Sequence, residues 1–547
     1  MDAVLVGPPG GGKSAVGRRL ARAAGAAFVD LDEVIEAEAG TSVARIFEIE
    51  GEAGFRARER AAVQWLGAAD PAPRTTRVVA VGGGAVVDPR NRWLLYRGRR
   101  AFSLTTAPEV VAARLASSRT VRPLIAGREP TAAVRDLLAA RARFYEPAEP
   151  IEGRGRIEEV AGRVADALTR PAPEGTRLLA APTSIGRLDI GAGHAARALS
   201  DAMVTVGARR ATMASEPEAW RHHGQRLAER MAATNGVEIL PLLLPRGESA
   251  KTISAYETGV RELAARHMER GDPIVACGGG ALGDAAGFMA ATWLRGVPLI
   301  QLPTTLLAQV DSAIGGKVGL DLPEGKNLVG AFHQPSAMIL DIELLATLPE
   351  RELRAALGEC VKYAVLGDER IFELLETDGP ALAVGTASTF ESGALAELVE
   401  RCAWAKVEIV TADEREQALR MHLNLGHSIA HGIEAAAGYR DVLHGEAVAR
   451  GLLGALEVGR RLGVTPDTLI DRTTALLERL ELAAGPLPYR ADEVAAAMAV
   501  DKKVASGRLR WVLRSDDGIV IRSDVPDEVV GAGIAVAMAG IAGRVTA

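Results

Sequence analysis

The chain has 547 residues, 48% of them hydrophobic, and a formal charge of −6 at pH 7. That length exceeds what one hydrophobic core can cover, so two to four domains are expected. The negative balance argues against a nucleic-acid or anionic-membrane surface, and the longest uncharged apolar stretch, Val529 to Gly543, is too short to span a bilayer and reads as a packed terminal helix. Along residues 1–170, strand patterns at Ala3–Val6, Ala27–Asp30, Val78–Val81 and Ala101–Leu104 alternate with amphipathic stretches, which predicts a parallel α/β sheet. The run Arg170-Pro171-Ala172-Pro173-Glu174-Gly175 breaks the pattern, and the linker is placed at 171–177. Residues 178–343 alternate again, with strands near Arg210–Met213, Pro273–Cys277 and Pro298–Leu302, and residues 344–547 read as mostly helical. Cys277, Cys360 and Cys402 are scattered without metal spacing, which implies a reducing compartment. No signal peptide is expected, because a glycine loop opens at residue 7.

That loop, Gly7-Pro8-Pro9-Gly10-Gly11-Gly12-Lys13-Ser14, lies between an apolar strand and a helix and has the P-loop spacing. Glycines admit backbone N–H groups around a phosphate, the helix start adds a positive dipole end, Lys13 can reach the β/γ-phosphates of ATP, and Ser14 can ligate Mg²⁺. Downstream, Phe28-Val29-Asp30-Leu31-Asp32 places two carboxylates that, in an extended segment, point the same way. A strand-end aspartate beside a P-loop suits Mg²⁺ bound through water, and the other carboxylate is then free to orient an acceptor hydroxyl. Arg56, Arg58 and Glu59, the turn Gly82-Gly83-Gly84, Arg122-Pro123-Leu124, and Arg141 four residues before Tyr145 follow. Several arginines around a phosphate loop suggest a small anionic acceptor.

In the second half, the apolar run Pro273–Cys277 enters Gly278-Gly279-Gly280-Ala281-Leu282-Gly283-Asp284, a strand–turn–helix able to receive a pyrophosphate. Gly247-Glu248-Ser249-Ala250-Lys251 offers a carboxylate for ribose hydroxyls, and Thr304-Thr305 adds hydroxyls at another strand end. Asp311, Lys317, Lys326 and Asn327 sit in glycine-rich turns that suit an anionic sugar. His427 and His431 are four apart, hence on one helical face, and His444 follows after a short loop. Three of the chain's nine histidines fall there, which points to a Zn²⁺ site completed by a carboxylate: Glu359, Glu434 or Glu446.

These motifs carry two resemblances. Residues 1–160 resemble shikimate kinase. The resemblance implies Mg²⁺ at Ser14 and Asp30, ATP along Gly7, Gly10, Gly11, Gly12, Lys13 and Ser14, and Asp32 as the substrate-binding base. It implies Arg56 and Arg141 on the shikimate carboxylate, Gly82, Gly83 and Gly84 lining the acceptor pocket, and Arg122 as the lid arginine reaching the phosphates. The family's adenine-stacking arginine is left unassigned, Arg114 fitting the spacing imperfectly. Residues 178–547 resemble 3-dehydroquinate synthase over Gly278–Asp284, Arg295-Gly296, Pro303–Leu307, Asp311–Lys317, Lys326-Asn327, Gly358–Tyr363, Leu423–His427 and His444-Gly445-Glu446. That implies zinc (or Co²⁺) on Glu359, His427 and His444, and His431 beside the substrate phosphate. Substrate contacts are implied at Lys317, Asn327, Lys362, Lys406, Arg420 and Asn424, with Glu416 and Asp311 in the pocket and Lys502 or Lys503 closing on the substrate. NAD is implied along Gly247, Glu248, Lys251, Gly280, Ala281, Leu282, Gly283, Asp284, Thr304, Thr305, Lys317, Lys326, Leu344, Leu345, Ala346 and Thr347. At Ala214-Ser215-Glu216 the chain departs from the Thr-Asp pair frequent in relatives near the adenosine.

The expected fold is a P-loop kinase domain with a parallel sheet, followed by an α/β dinucleotide-binding subdomain and a helical metal-binding subdomain. The expected function is phosphorylation of shikimate by ATP, and NAD/zinc-dependent cyclisation of 3-deoxy-arabino-heptulosonate 7-phosphate to 3-dehydroquinate. A cytoplasmic homodimer formed through the second half, with small-molecule partners and neither nucleic acid nor membrane, completes the reading. The alternatives are a metal-dependent polyol dehydrogenase or another sugar-phosphate cyclase for the second half, and a regulatory nucleotide-binding module for the first.

Overall fold

The computed structural model describes residues 2–68, 76–117, 129–504 and 509–543, the side chains of 500–504 and 543 excepted. By its internal contacts the chain divides into two compact units: Met1–Pro182 with Arg187–Ala198, and Thr183–Gly186 with Leu199–Ala547.

The first unit contains five parallel strands, β1 (Ala3–Val6), β2 (Ala27–Asp30), β3 (Arg77–Ala80), β4 (Arg100–Thr105) and β5 (Glu149–Glu152), in the order β2-β3-β1-β4-β5. Strand β1 is apolar throughout and buried at every position, as a strand covered on both faces must be. Its core is made with Val16, Leu20 and Ala21 of the helix Lys13–Ala24, Phe102 and Leu104 of β4, and Val160 and Val164 of the helix Ile157–Leu168. Because the strands are parallel, the segments leaving the carboxyl ends of β1, β2 and β3 emerge on one edge, and these are the glycine loop, Asp30–Asp32 and Gly82–Gly84. Strands β6 (Thr176–Thr183) and β7 (Gly186–Ala192) follow as neighbours.

The second unit carries β8 (Arg210–Ser215), β9 (Glu238–Leu243), β10 (Ile274–Gly278) and β11 (Leu299–Pro303), then the antiparallel ribbon β12 (Lys317–Leu322) and β13 (Gly325–Phe332), then β14 (Ala337–Asp341). The parallel order is β14-β11-β10-β8-β9. From Glu350 the elements among the described residues are helices, apart from the hairpin β15 (Trp511–Ser515) and β16 (Gly518–Arg522). The helix Glu350–Leu366 is buried continuously from Ala355 to Val365. It crosses the helix His444–Arg461 with the backbones almost touching: a Cβ on Gly358 would run into the carbonyl of Gly445, and one on Gly445 into that of Ala355. That crossing brings Glu359 beside His444. Among the described residues no helix is long and apolar enough to cross a membrane.

Candidate active sites

In the first unit the glycine loop turns through left-handed backbone at Gly7 (φ 131°), Gly10 (φ 74°) and Gly12 (φ 93°), and Gly12 opens the helix Lys13–Ala24. The Lys13 ammonium is buried under the loop and donates to the carbonyls of Gly7 (2.9 Å) and Pro8 (2.8 Å). Asp30 and Asp32 do not share an extended face, as the sequence suggested. Asp30 ends β2 and caps the next helix, its carboxylate accepting from the Asp32 N–H at 3.2 Å, and Asp32 already lies inside that helix. The aspartate's tendency to satisfy a free helix N–H outweighs strand continuation. Asp32 shares the edge of the Gly82–Gly84 turn with Glu59, because a Cβ on Gly82 would lie 3.0 Å from Asp32 Oδ1 and 3.2 Å from Glu59 Oε1. A Cβ on Gly83 would sit 2.7 Å from Pro9 Cδ and 3.0 Å from its backbone nitrogen, so only glycine admits that approach, and the Arg56 guanidinium lies against Gly84. Arg141 (2.9 Å) and the Tyr145 hydroxyl (2.5 Å) both donate to the Gly83 carbonyl. Arg56 pairs with Glu52 and, at 2.7 Å, with the buried Glu59. Burial pushes the Glu59 carboxyl up despite that arginine. Arg114, left unassigned by sequence spacing, reaches the loop, its guanidinium 3.5 Å from the Gly10 carbonyl. Arg122 lies outside the described residues.

The second unit holds a cavity of about 580 Å³ lined by, among others, Asp311, Lys317, Lys362, Lys406, Arg420 and Asn424. His427, His431 and His444 stand on its wall, the first two on one helical face as their spacing requires. One ligand atom each from Glu359, His427 and His444 falls within 4.8 Å of the others, a spacing that can hold a metal ion. The donor set is prepared for one. Among the described residues Glu359 Oε2 is buried with no hydrogen-bond partner, while Oε1 is held by Lys362. His427 Nδ1 lies 3.2 Å from the Leu425 carbonyl and His444 Nδ1 lies 3.3 Å from Glu434 Oε2, so with those nitrogens donating, each Nε2 is left to ligate. The open choice among carboxylates is thereby decided: Glu359 joins the triad, Glu434 orients His444, and Glu446 pairs with Arg351 and caps the Leu443 N–H. Burial, aided by Lys362, holds His427 well below its ordinary value and therefore neutral, the form that ligates a metal.

Residues 241–355 match the family model for the N-terminal domain of 3-dehydroquinate synthase, and residues 356–504 match the model for its C-terminal domain. Residues 9–169 match the model for shikimate kinase. The chain is 42% identical over 316 residues to a 3-dehydroquinate synthase of Microcystis aeruginosa, covering 58% of this chain and 85% of the relative. The chain belongs to the 3-dehydroquinate synthase family. A second relative, from Azotobacter vinelandii, is 46% identical over 313 residues, 56% of this chain and 82% of its own. Among solved structures, a 2-epi-5-epi-valiolone synthase from Streptomyces hygroscopicus with NAD⁺ and Zn²⁺ bound is similar over 65% of this chain and 96% of its own, at a TM-score of 0.58 and 27% identity. The chain is thus a fusion of a shikimate kinase domain with a 3-dehydroquinate synthase.

In the synthase half, the remaining expected residues fall into two groups. Around the cavity, Asp311 rises from a π-helical turn (Ala308–Ser312) and accepts from Lys406 at 2.5 Å, with Lys362 4.0 Å away. Burial opposes ionisation, but the two lysines hold its carboxyl far below the usual range. Glu416, in left-handed backbone (φ 58°), is bound by Lys317 and by Asn424 at 2.7 Å. Arg420 is fixed by the carbonyls of Gly315 (3.0 Å) and Glu414 (2.6 Å). The dinucleotide segments form the second group. Lys251 joins Asp284 (2.8 Å) and Asn327, and Lys326 joins Glu248 (2.8 Å). The helix Gly280–Thr292 opens where a Cβ on Gly280 would lie 2.6 Å from Ser312 Oγ, a cradle that glycine keeps clear. Thr304 donates its N–H to Gly278 O at 2.9 Å, keeping that strand end beside the cradle. Asp284 and Asn327 reach the cavity wall; Gly247, Thr304, Thr305 and Leu344–Thr347 are not on it. Leu344 and Leu345 are buried, and Thr347 bonds His223 at 2.9 Å. Glu216, noted as a departure from relatives, accepts from the Gly247 N–H at 3.0 Å and tethers that loop. Lys502 and Lys503 fall in the helix Ala491–Val504, but their side chains lie outside what is described. Sequence reasoning missed Asp321, 3.6 Å from Lys251 and bonded to the Asn327 N–H; its signal was a carboxylate between two leucines in the strand that Lys317 opens.

Proposed function

We propose that the protein performs two reactions of one biosynthetic route. The kinase domain transfers the ATP γ-phosphoryl group to the 3-hydroxyl of shikimate. The synthase converts 3-deoxy-arabino-heptulosonate 7-phosphate to 3-dehydroquinate with release of phosphate. The observation that carries the second reading is the Glu359–His427–His444 triad on the wall of a lysine- and arginine-lined cavity beside a glycine cradle.

In the kinase domain, Lys13 exchanges the Gly7 and Pro8 carbonyls for phosphate oxygens, and Gly7, Gly10, Gly11 and Gly12 offer backbone N–H groups. Ser14, and Asp30 through water, hold Mg²⁺. Asp32 accepts the acceptor hydroxyl's proton at its carboxylate. Arg56 and Arg141 grip the shikimate carboxylate over Gly82–Gly84, with Arg56 balanced meanwhile by Glu59. Arg114, whose guanidinium reaches the Gly10 carbonyl, is the arginine we assign to the nucleotide, and Arg122 serves as the lid arginine.

In the synthase, Glu359, His427 and His444 hold a divalent ion, Zn²⁺ or Co²⁺, and the segments Gly247–Lys251 and Gly280–Asp284, with Thr304, Thr305, Lys317, Lys326 and Leu344–Thr347, hold NAD. When bound, the dinucleotide supplies reversible hydride acceptance and the ion polarises substrate oxygens. Lys317, Asn327, Lys362, Lys406, Arg420 and Asn424 bind and orient a substrate bearing both carboxylate and phosphate. Asp311 pairs with Lys406 and Glu359 with Lys362, so neither buried lysine is left without a counter-charge. His431 moves a proton at its imidazole beside the phosphate, Glu416 does so at its carboxylate, and Lys502 or Lys503 closes on the substrate.

We place the domain boundary at 171–177, just beyond the end of the shikimate kinase match at residue 169, with the contact-defined first unit extending past it to Pro182 and over Arg187–Ala198. The protein is read as a cytoplasmic homodimer through the synthase; its three cysteines, all buried and free, suit a reducing compartment. The deciding experiment is phosphate release from the heptulosonate phosphate with and without NAD⁺ and zinc. Release that requires both, with no accumulation of NADH, supports the synthase. Stoichiometric NADH instead means a dehydrogenase, and sedimentation at monomer mass removes the homodimer.

A further inference from the structure

Glu434 lies on the helix His427–Ala436 and is buried. One carboxylate oxygen accepts from His444 Nδ1 at 3.3 Å; the other lies 3.4 Å from Lys326 Nζ. The same ammonium donates to Glu248 Oε1 at 2.8 Å, under the ring of Tyr439 at 4.5 Å. Glu248 belongs to the short helical turn Gly247–Lys251, whose Lys251 is bound to Asp284 and Asn327. A continuous chain of contacts therefore runs from a triad histidine to the loop assigned to the dinucleotide, and one cation is shared between a carboxylate at each end.

We propose that Glu434 is a positioning residue that couples the two sites, joining His444 of the triad to Glu248 of the loop through Lys326. This inference rests on the reading of the cavity as a metal- and dinucleotide-dependent site. The Glu434–Lys326 contact is the longest link in the chain and the first to yield. A divalent ion on His444 Nε2 strengthens its Nδ1–H as a donor and draws Glu434 toward the imidazole. An anionic cofactor at the Gly247–Lys251 loop competes with Glu434 for the Lys326 ammonium. Both ligands loosen the same contact, so whichever binds first removes that cost for the second. The coupling is positive, and thermodynamics makes it reciprocal.

The test uses the full chain stripped of metal, with NAD⁺ dissociation constants measured calorimetrically before and after reloading with Zn²⁺. Zinc affinity is measured by chelator competition with and without NAD⁺, in the absence of substrate. In the wild-type protein NAD⁺ binds about 5-fold tighter or more when zinc is loaded, and zinc gains by the same factor. Glu434→Gln weakens zinc about tenfold and brings the coupling ratio to about one. Lys326→Gln also brings the ratio to about one, whereas Glu376→Gln, whose carboxylate pairs with Arg472 at 2.7 Å outside the cavity, leaves it at the wild-type value. A merely structural role for Glu434 would lower both affinities and leave their ratio intact. A ratio of one in the wild-type protein with both ligands bound, or an undiminished ratio in Glu434→Gln, overturns the coupling alone. Failure of the wild-type protein to bind zinc or NAD⁺ overturns the reading of the cavity, and the coupling with it.

Discussion

Gly426→Ala tests how the metal triad is held in place. Gly426 stands immediately before His427, in left-handed backbone (φ 80°), and begins the helix His427–Ala436. An added Cβ would lie 2.9 Å from the Leu452 nitrogen and 3.1 Å from the Gly451 carbonyl carbon, both backbone atoms of the helix that begins at His444. Alanine pays about 1–2 kcal/mol to adopt that conformation, and forcing apart two packed backbones adds about 1–3 kcal/mol. The helices must separate by a few tenths of an ångström. Metal–ligand distances tolerate about 0.2 Å, so His427 can no longer ligate at its ideal distance from Glu359 and His444. Zinc affinity is expected to fall tenfold or more, about 1.4 kcal/mol. The assay is chelator competition for zinc, combined with thermal melts with and without zinc; the zinc-dependent part of the stabilisation shrinks with the lost affinity. Gly463→Ala is the control. It shares the left-handed backbone (φ 67°) but faces open space, so it loses stability and keeps zinc. A Gly426→Ala protein with wild-type zinc affinity refutes the argument that this backbone contact positions His427.

Four further outcomes follow from the two sites. Lys13→Met removes the ammonium buried under the glycine loop and should lower kinase kcat by several kcal/mol, on the order of 10²–10³-fold; a steady-state assay with near-normal turnover sinks its role. Exhaustive chelation should abolish synthase turnover, zinc should restore it, and kinase activity should return with Mg²⁺ alone, read by phosphate release and ADP formation. Arg114→Ala should raise the KM for ATP with a smaller change in kcat, because its guanidinium lies against the glycine loop. Glu59 sets a pH dependence. Burial raises its folded-state pKa, so the folded form binds its proton more tightly than the unfolded one. The stability this contributes is complete below the ordinary glutamate range and is lost as pH rises through the raised value. Glu59→Gln should flatten that part of the stability–pH curve in denaturant titrations, and an unchanged slope would remove Glu59 as its source.

Much of this was legible in the sequence because it is local. The glycine loop, the strand before it and the helix after it are adjacent, and each of the strands β1, β2, β4, β8, β10 and β11 overlaps its apolar run. The four-residue spacing of His427 and His431 fixes a shared helical face wherever the helix lies. The same local rules misread Asp30 and Asp32, where a helix cap displaced an extended strand. They also missed β5, whose sequence Glu-Pro-Ile-Glu shows no strand signal by itself and is recruited as an edge by β4. What only the tertiary structure decided is which distant groups meet. Glu359, Glu434 and Glu446 are equivalent by composition and spacing. They are separated by the crossing of two helices at Gly358 and Gly445, which puts Glu359 in the triad and leaves Glu434 behind His444 and Glu446 on Arg351. Periodicity records the backbone conformation of neighbouring residues, whereas the choice among those carboxylates depends on how closely two remote backbones can approach, and that is set by packing.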